Sequence, residues 1–90
     1  MRQGKNEDFF KQNIYIIIII IIIMILLLSE HAKKRMAEHA LTKEMVKEAI
    51  ERGSKARQSN GLLATYTYFQ VAYRIIKPGI YKIKTVMVKK

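Results

Sequence analysis

The chain has 90 residues, with 17 Lys and Arg against 7 Asp and Glu, a formal net charge of +10 and no cysteine. Disulfides and thiolate metal sites are thereby excluded, and a length that allows one small domain leaves little room to enclose a catalytic pocket. The charge is unevenly placed: Arg2, Lys5 and Lys11 face Glu7 and Asp8 before Ile14, whereas fourteen Lys and Arg face five Glu after Leu28.

Residues 1–13 read as a short N-terminal arm. From Ile14 to Leu28 follow ten isoleucines, three leucines, Met24 and Tyr15, without a charge. Each Ile or Leu favours insertion by ~0.3–0.6 kcal/mol at mid-membrane, so the run sums to several kcal/mol. A helix of this length spans ~22 Å, short of the ~30 Å hydrocarbon core. Phe9, Phe10 and the stems of Lys11, Lys33 and Lys34 would make up the difference. The expectation is one transmembrane helix over 14–29, with Ile14, Ile18, Ile22, Leu26 and Leu28 in the lipid bilayer. A buried strand suits isoleucine, but the remaining residues are too few to cover it on both faces. A signal peptide would need a small-x-small cleavage site, which Leu28-Ser29-Glu30-His31-Ala32-Lys33 does not offer. The basic excess beyond the run places the tail on the cytoplasmic or interior side. Without small-xxx-small spacing or an ionisable group, the run reads as an inert anchor.

Residues 30–57 read as a charged helical region, rich in Ala, Glu, Lys, Met and Arg. A break near Thr42 divides it. Thr42 is placed to cap a following helix, and Leu41 with Val46 has the spacing of a hydrophobic staple. Gly53 supplies the stop. Met45, Val46, Ala49 and Ile50 then share one arc of a short amphipathic helix, a candidate partner-docking face.

Residues 58–90 read as a basic β-hairpin region opened by Ser59-Asn60-Gly61. Leu62–Ile76 and Ile80–Val88 form its strands around Lys77-Pro78-Gly79-Ile80, with the Pro-Gly order of a type II turn. The fold class expected is therefore a membrane α+β protein: a single transmembrane helix extended by a short amphipathic helix, then a small C-terminal β-hairpin.

His31 and His39 stand eight residues apart, ~12 Å on a helix, too far for one metal ion. No Gly-rich phosphate loop or nucleophile arrangement can be assembled, so the expectation is no enzyme, no cofactor and no metal. Lys33, Lys34, Arg35, Arg74, Lys77, Lys82 and Lys84 are candidate contacts to an anionic surface, either anionic lipid or nucleic acid. Tyr66, Tyr68, Phe69, Tyr73 and Tyr81 interleave with the later cations, as in a single-strand stacking platform. The function expected is a non-catalytic structural or accessory subunit of a membrane complex or lipid-containing virion. Its partners would be other subunits or copies of itself. The alternatives are a membrane-tethered nucleic-acid binder and a holin-like permeabilising protein.

Overall fold

The computed structural model describes residues 14–89, and the N-terminal arm expected at 1–13 lies outside them. Residues 14–23 are helical (α1). Strand β1 (Ile25–Leu28), helices α2 (Glu30–Glu38) and α3 (Lys43–Arg52), and strands β2 (Ser54–Gln58), β3 (Gly61–Tyr66), β4 (Phe69–Lys77) and β5 (Ile80–Val88) follow. The strands form one sheet in the order β1-β5-β4-β3-β2. Strands β2 to β5 pair antiparallel in sequence, whereas β1 lies parallel to β5 through Ile25↔Ile80 to Leu28↔Ile83.

The apolar run does not stay helical. Its described helical part is ten residues, ~15 Å at the usual rise, and the chain leaves it at Met24. The Met24 amide still donates to the Ile20 carbonyl, and the next amide, Ile25, donates to Gly79 across the sheet. A uniformly apolar run has no period to prefer helix over strand. The free edge of β5 therefore decides the matter by offering a ladder to Ile25–Leu28. No helix among the described residues is long and apolar enough to cross a membrane. This corrects the single-span expectation and the fold class built on it. The bilayer as partner, the single-pass location with its sided tail, and the membrane-complex, virion, tethered and holin-like roles go with it. Ile14, Ile18 and Ile22 are exposed on α1, while Leu26 and Leu28 are half-buried on β1.

Two further boundaries differ from expectation. Ser54–Gln58 continues no helix but forms the edge strand β2. Leu62–Ile76 is two strands, because Thr67 takes a left-handed φ of 49° and turns the chain between Tyr66 and Phe69. The sheet is thus a four-stranded meander with a parallel fifth strand, rather than one hairpin.

Helices α2 and α3 cover one sheet face. The Thr42 side chain accepts from the Met45 amide to cap α3, and the Ser29 hydroxyl accepts from Ala32 to cap α2. Side chains alternate across a strand, so Ala64, Phe69, Val71 and Tyr73 point under the helices with Ile83 and Val86 and are buried there. Ala32 and Met36 of α2, with Val46, Ala49 and Ile50 of α3, complete this core. The arc proposed for partner docking is therefore spent inside the chain: Val46, Ala49 and Ile50 are buried and Met45 is half-buried.

Candidate functional site

The helix layer and the sheet differ in charge. Every described carboxylate (Glu30, Glu38, Glu44, Glu48, Glu51) lies on α2 or α3. Glu51 is the last acidic residue of the chain. The strands carry Lys55, Arg57, Arg74, Lys77, Lys82 and Lys84 without one carboxylate. The ion pairs found among the described residues, Lys33–Glu30 at 3.3 Å and Arg35–Glu38 at 3.9 Å, are both on α2. Neither draws on a strand cation.

The β4–β5 hairpin gathers four of these cations. Its turn is closed by Pro78-Gly79, with Gly79 at a φ of 84° that a type II turn requires. On the face opposite the helices, Arg74 is the direct cross-strand partner of Lys82, and Lys82 is also the partner of Leu27 on β1. Like charges in this relation repel, and both side chains are exposed.

Lys84 is positioned by an irregularity. Pairing runs through Ala72↔Thr85 and then Tyr73↔Ile83, leaving Lys84 without a ladder partner. Such a bulge re-aims a side chain. Here the Lys84 ammonium reaches the β2–β3 turn and donates to the Asn60 carbonyl at 2.6 Å. The Lys84 carbonyl, freed from the ladder, accepts from the Ser29 hydroxyl at 3.0 Å. At the same sheet end lies an open cleft of about 300 Å³ lined by Arg57, Gln58, Ser59, Gly61, Leu62 and Ile75.

The candidate contacts inferred from sequence therefore separate into two groups. Arg74, Lys77 and Lys82 are exposed and Lys84 half-exposed on one hairpin. Lys33 and Lys34 are exposed on α2, in the layer on the other face. Arg35 is half-buried and donates through Nε to the Val86 carbonyl at 3.3 Å, fastening α2 to the sheet. Arg57 and the neighbouring Lys55, on β2, lie outside the set inferred from sequence. The signal available was the absence of any acidic residue after Glu51.

The aromatic residues do not make a stacking platform. Tyr66, Phe69, Tyr73 and Tyr81 belong to or pack against the covered core, and Tyr68 is exposed at the β3–β4 turn. Tyr66 and Tyr68 each meet Phe69 edge-on, as Tyr81 meets Tyr73. Burial, with the Tyr81 phenol beside it, raises the Tyr73 hydroxyl above its ordinary pKa of 10.0. No group of three metal-ligating side chains is found among the described residues. His31 is on α2 and His39 caps its end.

A second surface is apolar. Ile20 and Ile21 of α1 pack on the core, but Ile14, Ile16, Ile18, Ile19, Ile22 and Ile23 are each 45% exposed or more. Exposed apolar area of this kind marks contact surfaces in proteins generally.

No protein-family model matches the chain, and no curated protein matches it. Among solved structures, a chain from the toxin–antitoxin complex RelBE2 of Mycobacterium tuberculosis resembles this one. The likeness covers 73% of this chain and 98% of that chain, at 15% identity and a TM-score of 0.49.

Proposed function

We propose that this chain is a non-catalytic binding module that holds the phosphate backbone of nucleic acid on its cationic strands. The observation that carries the reading is the segregation of charge: the four cations of the β4–β5 hairpin, Arg74, Lys77, Lys82 and Lys84, stand without a carboxylate on either strand. A phosphate oxygen is the complementary partner for such a set, and a chain of phosphates matches cations spread along a hairpin. With the tyrosines largely committed to the covered face, contact would run through phosphates rather than stacked bases. Binding should therefore be insensitive to sequence. The histidines and carboxylates sit with the helices on the sheet face opposite Arg74 and Lys82, so that pair has no acid–base partner and the module binds without chemistry.

The test is fluorescence anisotropy of the full chain with mixed-sequence single-stranded oligonucleotides at several salt concentrations. Four phosphate contacts predict a slope of about −3 in log K against log salt. A slope near zero, or a strong preference for one sequence, would refute the reading.

The exposed isoleucines of α1 favour a second contact, with protein rather than nucleic acid, other copies of the chain included. Concentration-dependent sedimentation that disappears in Ile19→Lys with Ile22→Lys is the expected outcome. An unchanged sedimentation coefficient across concentrations for the natural chain would remove it.

A further inference from the structure

Strand β2 ends the sheet on the side away from β1. All five of its residues, Ser54, Lys55, Ala56, Arg57 and Gln58, are exposed. One side of its backbone is used by β3 through pairs from Ser54↔Thr65 to Gln58↔Gly61. Alternate N–H and C=O groups on the other side point outwards, as on any edge strand. Natural sheets commonly blunt such an edge with a bulge, a proline or a covering segment. Strand β2 keeps regular pairing over its whole length, contains no proline, and relies on charge alone.

That charge is selective. Suppose a second copy paired antiparallel, β2 to β2, about Ala56. Lys55 of one copy would then stand opposite Arg57 of the other, twice, in the arrangement that repels. A parallel pairing also brings only cations together. An extended strand bearing Glu or Asp at alternate positions meets the opposite situation, since Lys55 and Arg57 lie on the same face and each gains a carboxylate. Beyond Gln58 the strand runs into the cleft lined by Arg57, Gln58, Ser59, Gly61, Leu62 and Ile75. Leu62 and Ile75 there give an apolar side chain a seat. Backbone pairing would supply affinity and the charge and cleft would supply selection, the division of labour of strand addition.

We infer that β2 is a docking edge for an extended acidic segment of a partner protein, which would join the sheet as a sixth strand beside Lys55 and Arg57. The inference stands apart from nucleic-acid binding, because it uses the sheet's outer edge and backbone rather than the hairpin cations.

The test uses the full isotope-labelled chain and two short peptides of equal charge, one alternating Glu with Val and one alternating Glu with Pro. The second carries the same carboxylates but cannot form a ladder. The Glu/Val peptide is expected to bind about tenfold or more tighter, because only it adds several backbone hydrogen bonds. It should also slow amide exchange at residues 54–58 and leave β1 unchanged. Lys55→Glu with Arg57→Glu, both exposed and so compatible with folding, should lose the Glu/Val peptide and take an alternating Lys/Val one. Equal affinity for both acidic peptides would overturn the inference, as would protection confined to β1 or the helices. So would full displacement of the Glu/Val peptide from residues 54–58 by a single-stranded oligonucleotide, which would make the edge part of the nucleic-acid surface.

Discussion

The Ser29 hydroxyl donates to the Lys84 carbonyl at 3.0 Å while accepting from the Ala32 amide at 3.0 Å. One side chain thus caps α2 and satisfies the carbonyl that the β5 bulge leaves without a ladder partner. The Thr42 hydroxyl, by contrast, accepts the capping bond from the Met45 amide and makes no second bond among the described residues. Loss of a cap costs about 1 kcal/mol, and a half-buried carbonyl left unsatisfied adds about 1–3 kcal/mol. Ser29→Ala should therefore destabilise more than Thr42→Ala in urea unfolding. Equal losses would mean that the bond to Lys84 contributes nothing.

Arg74 opposite Lys82 predicts a conflict between stability and binding. Replacing Lys82 by Gln relieves a repulsion of about 0.2–1 kcal/mol, so the variant should unfold at slightly higher urea in low salt. The same variant should bind oligonucleotides more weakly, with the salt slope reduced by about 0.7 for a lost single-strand contact. A variant that loses stability and keeps its slope would place Lys82 outside the site.

Gly61, beside the β2–β3 turn, and Gly79, in the β4–β5 turn, should respond differently to substitution. A Cβ on Gly61 would lie 2.4 Å from the Tyr73 carbonyl oxygen, a backbone atom that cannot swing aside. A Cβ on Gly79 would meet nothing within 4 Å, although its φ of +84° is unfavourable for an L side chain. Gly79→Ala should cost about 1–2 kcal/mol. Gly61→Ala should cost more and shift the resonances of the β3–β4 ladder. Thermal unfolding of both variants decides the order.

Tyr73 gives the fold a dependence on alkaline pH. Its phenol pKa is raised in the folded chain by burial and by Tyr81, so between the unfolded and folded pKa values the folded state holds a proton that the unfolded state has lost. Stability is complete below about pH 10 and falls as pH rises through and beyond it. Tyr73→Phe should flatten this fall. A fall of equal steepness in the variant would assign it to other groups.

Parts of this architecture can be read directly from residues. Thr42 before Lys43-Glu44-Met45, Gly53 after Arg52, and Pro78-Gly79 between two β-rich runs mark a helix start, a helix end and a turn through local chemistry. The elements that escape sequence reading depend on distant partners. Ile25–Leu28 becomes a strand only because β5, more than fifty residues later in the chain, presents its edge in parallel. Nothing inside a run of isoleucines reports that. Ser54–Gln58 is made of Ser, Lys, Ala, Arg and Gln, which suit a helix at least as well as a strand, and its pairing with β3 overrides them. The turn at Thr67-Tyr68 lacks the Gly, Pro or Asn that usually marks one. For the site, Arg74, Lys77, Lys82 and Lys84 were visible as a basic cluster. Their assembly with Asn60 and the Arg57 cleft follows from a bulge that no residue type announces.

The most direct test of the central claim is an amide-resonance map of the labelled full chain titrated with a mixed-sequence single-stranded oligonucleotide. Shifts are expected at Arg74, Lys82, Lys84 and the Asn60 turn, fading as salt is raised, with α2 and α3 unchanged. Shifts concentrated on Lys33, Lys34 and the exposed flanks of the helices, with the β4–β5 hairpin silent, would contradict it.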